Sequence, residues 1–336
     1  MIILGIESSC DETAAAVVED GRHVLSSVVA SQIDVHHIYG GVVPELASRK
    51  HLEAIVPVVD QALLKAGVAI HAIEGIAVTQ GPGLVGSLLV GFSFAKAFAL
   101  ARKLPFIGVN HLEGHLNSVF LDPKPPPFPF VALLASGGHT SIYHVRSHTQ
   151  YELLGQTRDD AAGEAYDKVA KMLGLGYPGG RVIDQLAQKG DPKKISFPRA
   201  FLDKERFDFS FSGIKSAVGR YLSENNPIDE TLTAHVAAGF QAAVIEVLAH
   251  KIVHAALVKK CADLAVVGGV AANSGLRKEV LRLAAKEGLA VHLPEVKWCG
   301  DNAAMIAAAG YHHLIKGEEG HLDDDVYSRV PPSAHA

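Results

Sequence analysis

Apolar and polar positions fall along this chain in short blocks, and the blocks read as strands, polar turns and helices in a repeating order. The run Ile2-Ile3-Leu4-Gly5-Ile6 predicts a buried strand. Polar residues Glu7-Ser8-Ser9-Cys10-Asp11-Glu12-Thr13 follow, Ala14 to Val18 reads as the returning strand, and Val24 to Ser31 as a third. A tight polar turn between apolar strands can offer backbone N–H groups and hydroxyls to a phosphate, although an ordinary hairpin has the same pattern. After the loop Gly40 to Glu45, a helix is predicted from Leu46 to about Lys65. The strand Ile76 to Gln80 runs into Gly81-Pro82-Gly83, which opens an apolar helix over 84–101. Such a corner suits an anion, while glycine there can equally serve close helix–sheet packing.

The proline-rich run Asp122 to Phe130 is stiff and extended and marks a lobe boundary. The opening pattern then restarts: a strand over Phe130 to Ala135, the turn Ser136-Gly137-Gly138-His139-Thr140, and a strand over Ser141 to Arg146. This is an echo of architecture and not of sequence. Two lobes, each opening on a hairpin whose turn can hold phosphate, suggest one nucleotide clamped by both. A helix is expected over Asp159 to Leu173 with acidic residues at its start, as the helix dipole favours. Gly174 to Gly180 ends it. Thr233 to Lys259 predicts a long helix and Leu264 to Val267 a buried strand. The glycine-rich turn Gly268 to Gly275 comes next, where backbone can approach an adenine or ribose, then a last strand over Val291 to Pro294. Asp301 and Asn302 open an alanine-rich helix to about Leu314.

The division expected from these elements is an N-terminal lobe over 1–110 completed by a helix near 303–325, a C-terminal lobe over 111–325, and a disordered tail over 326–336. The 336 residues suffice for two lobes, and 48% hydrophobic with 20% charged residues suits a soluble globular enzyme. Three cysteines without metal-binding spacing fit a reducing compartment. Met1 to Ile6 lacks a basic leader and reads as a strand rather than a signal peptide. The apolar run Gly83 to Ala101 contains Lys96 and three glycines, which favours a buried helix over a membrane span. Net charge is −5, yet Lys168 to Arg220 holds 11 Lys and Arg against 5 Asp and Glu. This stretch, with an insertion placed at about 178–230, is a candidate nucleic-acid footprint. Phe197, Phe201, Phe207, Phe209 and Phe211 lie among its cations and suit either unstacked bases or a small hydrophobic core.

The candidate chemistry centres on Asn110-His111-Leu112-Glu113-Gly114-His115, after the strand Pro105 to Val109. With Asn110 as helix cap, His111 and His115 are four residues apart and share one face, as paired metal ligands do. Two solvated histidines are the plain alternative in a chain with 18 His. The spacing is not that of a zinc protease: Glu113 falls about 200° around the helix from His111 and should point away from the metal. Asp301, at a loop-to-helix start, is the best carboxylate to complete the set.

Several motifs together resemble one family: Gly5-Ile6-Glu7-Ser8-Ser9-Cys10-Asp11-Glu12-Thr13, Gly40 to Arg49, Gly81-Pro82-Gly83-Leu84, His111 to His115, Ser136 to Thr140, and Gly268-Gly269-Val270-Ala271-Ala272-Asn273. They are similar to those of the bacterial TsaD family of tRNA N6-adenosine threonylcarbamoyltransferases, over about residues 2–325. The resemblance implies the two-lobed α/β fold of actin, hexokinase and the heat-shock chaperones, with duplicated ribonuclease-H-like cores. It also implies one metal, usually iron(II) with zinc or magnesium left open, held by His111, His115 and Asp301. The family's adenylate-contacting positions fall on Leu134, Ala135, Ser136, Gly137, Gly138, Asp167, Gly180, Asp184 and Asn273. Ala135 departs from the valine often found there, which a backbone contact tolerates.

The implied reaction moves the threonylcarbamoyl group of threonylcarbamoyl-AMP to the N6 amine of adenosine 37, in the anticodon loop of tRNAs reading codons that begin with A. Asp11 and His139 are the candidates for the base that takes the amine proton. The family also implies a cytoplasmic location and two partners, the paralogue TsaB and the small ATPase TsaE, although a homodimer acting alone stays open. Competing readings are a metallopeptidase, a sugar kinase or ATPase of the same fold, and a non-catalytic scaffold.

Overall fold

A strand flanked by neighbours on both sides and covered on both faces has no polar face to show, and β1 (Ile2–Glu7) is such a strand, buried from Ile3 onward. In the computed structural model, which describes residues 1–200, 206–225, 227 and 229–329, β1 is the centre of a five-stranded sheet. It pairs antiparallel with β2 (Glu12–Glu19), which pairs antiparallel with β3 (His23–Ser31) at the edge. The short α1 (Ile33–His36) leads to α2 (Pro44–Ala66), which begins on proline, where the missing N–H costs nothing. On the other side of β1 lies β4 (Gly75–Gly81), parallel to it. The chain continues through α3 (Val85–Arg102) to β5 (Phe106–Asn110), parallel to β4, and then to α4 (His111–Asn117).

The second sheet is built from β6 (Phe130–Ala135), β7 (Thr140–Ser147) and β8 (Gln150–Gln156). Helices α5 (Ala162–Met172), α6 (Gly179–Ala187), α7 (Ser212–Glu224) and α8 (Glu230–Lys259) follow. Then come β9 (Asp263–Val267), α9 (Ser274–Lys286) and β10 (Ala290–His292). The order β10-β9-β6-β7-β8 repeats the order β5-β4-β1-β2-β3 of the first sheet, with β6 antiparallel to β7 and parallel to β9. The echo in the sequence pattern is therefore a duplicated topology. The last helix, α10 (Ala303–Leu314), packs on β1 and β4 of the first sheet.

Two compact units result. The first holds Met1–Pro125, Ser147–Gln150 and the stretch from Gly300; the second holds Pro126–Arg146 and Tyr151–Cys299. The boundary expected after residue 110 falls instead inside the proline-rich connector, because α4 packs on α10 and stays with the first unit. The C-terminal lobe expected to run to 325 likewise ends at Cys299. The tail expected from 326 is corrected in part: Val326 packs against the first core, and the Tyr327 N–H donates to the Gln80 carbonyl at 3.1 Å. Residues 330–336 lie outside the described residues.

Among the described residues two helices, α3 and α8, are long and apolar enough to cross a membrane. Most of α8 is buried in the core of the second unit. α3 buries one face through Leu88, Phe92, Ala95 and Ala99, while Val85, Leu89 and Leu100 remain exposed. The expectation of a buried helix thus holds for one face of α3 only.

Candidate active site

The first unit positions three ligand-type side chains. Asn110 ends β5 with extended backbone, and its side-chain oxygen accepts from the N–H groups of Leu112 (2.9 Å) and Glu113 (3.4 Å). That cap starts α4 one residue before His111, so His111 and His115 stand one turn apart with ring centroids separated by 4.7 Å. Asp301 immediately precedes Asn302, whose side chain caps α10 by accepting from the Met305 N–H. The Asp301 carboxylate lies 3.5 Å from His111 Nε2 and 3.2 Å from His115 Nε2. Donor atoms of the three residues all fall within 4.8 Å of one another.

Close approach of backbone makes this convergence. A Cβ on Gly5 of β1 would sit 2.2 Å from the Ala303 carbonyl oxygen, and one on Gly114 would sit 2.7 Å from Ile306 Cδ1. Both glycines let α10 lie directly on β1 and α4, which carries Asp301 to the histidines. Glu113 faces elsewhere: its Oε1 is 2.6 Å from His313 Nε2, and the other nitrogen of His313 meets Glu318. Burial opposes the charged form of His313, yet the Glu113 and Glu318 carboxylates outweigh it and raise its pKa to about 9. Glu113 therefore does not occupy the place of a zinc-protease general base.

His115 is fully buried, and neither of its ring nitrogens has a hydrogen-bond partner; the Asp301 oxygen is near but not aligned. A buried imidazole left in that state carries a desolvation cost of about 1–3 kcal/mol, which a cation at its lone pair removes. Two imidazoles and a carboxylate suit a divalent first-row metal, without choosing among iron, zinc and others. Burial raises the pKa of Asp301, but His111 prevails and holds it well below the usual carboxylate range. His111 is in turn held well above its usual value, against burial, by Glu7 and Asp301.

The turn after β1 borders this cluster. Asp11 is buried there, and its carboxyl is raised chiefly by that burial, with the charge of Asp301 adding to it. Two neighbours escaped the reading of the sequence. Glu12 is raised to about 8 by burial and by Asp301 and Asp11. Glu7, fully buried, has an oxygen 2.9 Å from His111 Nδ1. Both were read as parts of a turn; only their proximity to residues about 100 and 300 positions away marks them otherwise.

The predicted adenylate positions all lie in the second unit, where Gln241 links two of them, Asp184 and Asn273. Leu134 and Ala135 end β6, and Gly137 and Gly138 form an exposed turn with nothing within 4 Å of where a Cβ would be. The N–H of Gly163 on α5 donates to the Ser136 carbonyl at 3.1 Å. Further along α5, Asp167 accepts from the Gly179 N–H at 2.7 Å, which fixes the start of α6 beside Gly180. Asp184 on α6 accepts from the N–H and hydroxyl of Ser274, each at 3.0 Å. Asn273 caps α9 through the Leu276 N–H and donates to Gln241 at 2.8 Å; Gln241 donates to Asp184 at 3.0 Å. Gly268, at φ +88°, packs a backbone-only surface on Ala135, where a Cβ would lie 2.5 Å from the carbonyl oxygen. That is a contact to backbone, indifferent to alanine or valine at 135. His139 belongs to this unit, its N–H donating to Ser136 Oγ at 3.1 Å, while Asp11 belongs to the first.

The basic stretch differs from its expected form. Phe197, Phe207, Phe209 and Phe211 are buried in the second core, so they hold helices together and offer no faces to bases. Phe201 lies outside the described residues. Several cations are paired: Lys168 with Asp160 and Glu164, Lys215 with Asp160, and Arg199 with Glu246. The helix expected from Asp159 starts later, with Glu164 as the acidic residue of its first turn. α5 begins at Ala162, and the Asp159 carboxylate accepts from Ser210, Phe211 and Ser212, tying down the start of α7.

Comparison with solved structures places the fold. HypF, in its phosphate- and nucleotide-bound form, is similar over 97% of this chain and 47% of its own length, with a TM-score of 0.64 at 12% identity. Component A of the (R)-2-hydroxyglutaryl-CoA dehydratase of Acidaminococcus fermentans is similar over 94% of this chain and 99% of its own, with a TM-score of 0.54 at 16% identity. The class is thus the actin-like ATPase fold, here with a ligand-type His–His–Asp cluster in its first unit. Sequence comparison is more specific. The family described as tRNA N6-adenosine threonylcarbamoyltransferase (TsaD) matches residues 23–308. Proteins of that name from Desulforapulum autotrophicum and Syntrophus aciditrophicus are 64% and 54% identical over 98% of this chain, covering 99% and 98% of their own lengths. The chain belongs to this family of tRNA-modifying transferases.

Proposed function

We propose that this chain transfers the threonylcarbamoyl group of threonylcarbamoyl-AMP to the N6 amine of adenosine 37 in tRNAs reading codons that begin with A, releasing AMP. The observation that carries the proposal is the convergence of His111, His115 and Asp301, with both nitrogens of His115 unsatisfied, in a member of this family. These three residues would hold one divalent metal, iron(II) being the first candidate. When bound, such an ion supplies Lewis-acid polarisation of the donor's carbonyl or phosphate oxygens.

The chain's own residues do the rest. Ser136, Gly137 and Gly138 offer an open backbone turn for the phosphate of the AMP leaving group. Asp184 and Asn273, locked together by Gln241, hold fixed orientations toward its nucleoside. The N6 amine is a poor nucleophile because its lone pair is delocalised, so its proton must be removed as the bond forms. Asp11, with its raised carboxyl pKa, is the first candidate to take that proton, and His139 the second. The adenosine must leave its stack to be reached, as in other enzymes that act on bases.

A cytoplasmic site of action is proposed, and a tRNA substrate supports it. For partners, the paralogue TsaB and the ATPase TsaE are proposed. The exposed apolar face of α2 and α3, with Leu52, Val56, Val85 and Leu89, supports docking of a helical partner.

The deciding experiment measures transfer of labelled threonine from threonylcarbamoyl-AMP to a tRNA bearing adenosine 37, with both partners supplied. Wild type is compared with His111→Ala and Asp301→Ala. Transfer by wild type and its loss in both variants, with folding intact, is expected. Transfer that survives in both variants removes the metal from the reaction; no transfer by wild type returns the kinase and scaffold readings.

A further inference from the structure

Glu7 lies in the last position of β1 and is one of the most deeply buried carboxylates described, with 0% exposure. A carboxylate is taken out of water at a cost of several kcal/mol unless its oxygens are satisfied. Here they are. Oε1 accepts from the Ser9 N–H, and Oε2 accepts from the Thr79 hydroxyl at 2.6 Å and faces His111 Nδ1 at 2.9 Å. Thr79 is itself fully buried on the neighbouring strand β4, so two strands and a turn are committed to placing this one group. The Ser9 hydroxyl lies farther from His111 Nδ1, at 3.3 Å.

The two imidazoles are therefore unequal. His115 has no hydrogen-bond partner at Nδ1, whereas His111 has a carboxylate there. An N–H at Nδ1 directed to Glu7 leaves Nε2 of His111, on the side of Asp301 and His115, as the nitrogen whose proton a metal would replace. That is the tautomer a ligand needs, and a negative partner at the far nitrogen makes the near one more basic. The same carboxylate adds a second negative charge beside Asp301, so that a divalent cation would find two anions within the cluster and its immediate support.

We infer that Glu7 is a positioning residue for the metal centre: it fixes the tautomer and orientation of His111 and strengthens divalent-cation binding without touching the ion. The inference rests on the metal reading of the His111–His115–Asp301 cluster, and the test separates the two. Co²⁺ is titrated into metal-free full-length protein, with binding followed by calorimetry and by the visible absorption of the bound ion. Wild type should bind one Co²⁺ per chain, and Asp301→Asn should not. Failure of wild type to bind overturns the metal reading and this inference together.

Given wild-type binding, Glu7→Gln should weaken Co²⁺ by about 10–100-fold and alter the visible spectrum, while circular dichroism remains native. Glu7→Gln with wild-type affinity and spectrum overturns the inference and leaves the metal reading standing. Should Glu7→Gln fail to fold, Thr79→Val decides. It keeps the carboxylate but removes one of its anchors, and a several-fold loss of Co²⁺ affinity is expected. Unchanged affinity in Thr79→Val would then overturn the role of Glu7. A purely structural role would move the melting temperature of the metal-free protein in either variant without moving the spectrum.

Discussion

The turn after β1 and the turn after β6 leave the central strands of two sheets that share one strand order, yet their side chains differ in kind. In the first unit the turn is buried and charged: Glu7, Ser8, Ser9 and Asp11 are all out of solvent, and their polar atoms point at neighbours. In the second unit the equivalent turn is Ser136-Gly137-Gly138-His139, with two exposed glycines and open space around them. A buried turn bristling with carboxylates repels phosphate and attracts cations. An open turn of glycines presents N–H groups and suits an anion. One duplicated topology therefore carries two turns of opposite character, and their side chains set the difference. The reading of both turns as phosphate holders fits the second turn better than the first.

The largest effect should come from the charged turn's own cluster. Asp301→Asn is expected to reduce transfer by at least about 100-fold and abolish Co²⁺ retention, because a lost ligand forfeits several kcal/mol of charge stabilisation. Chelated wild type should match it, and should recover when Fe²⁺ is returned. Wild-type turnover after exhaustive chelation would erase the contrast between the two turns.

A smaller effect concerns how the first unit holds α4. His313 is raised from 6.5 to about 9, so the folded state binds its proton more tightly than the unfolded chain does. The resulting stability is fully present below pH 6.5 and is lost as pH rises through 9. Chemical denaturation of wild type and His313→Gln should differ by about 3 kcal/mol at pH 6 and converge near pH 10. A gap independent of pH would assign the effect to packing alone.

The smallest expected change in stability, paired with a clear change in binding, belongs to the glycine turn. Gly138→Ala adds a methyl where nothing lies within 4 Å, so unfolding should shift by no more than about 0.5 kcal/mol. Affinity for AMP, measured by calorimetry, should fall about tenfold if the backbone there must approach the phosphate. Equal affinity would mean that the open turn does not cradle the leaving group. Gly163→Ala gives the opposite pattern, since its Cβ would meet the Ser136 carbonyl oxygen at 2.5 Å. It should destabilise the fold by about 1–3 kcal/mol, read by thermal melting, as overpacking does.

What the sequence determined by itself was local. The apolar blocks place most strands and helices within a few residues. β8, α6 and α7 went unread: the first is only partly buried, the second is short and follows a glycine-rich break, and the third buries only Ile214 and Val218. Asn110 caps α4, and the four-residue spacing puts His111 and His115 on one face, because a cap and a helical turn depend on neighbours in sequence alone. Glu113 points away from that face for the same reason.

What only the tertiary structure decided was long-range. Asp301 reaches the histidines because Gly5 and Gly114 let α10 lie on β1 and α4, a contact that no local pattern encodes. Glu7 supports His111 across 104 positions of sequence. The phenylalanines of the basic stretch had two readings with the same spacing. Burial in the second core chose between them, because an aromatic ring gains more from apolar packing than from waiting in water for a base.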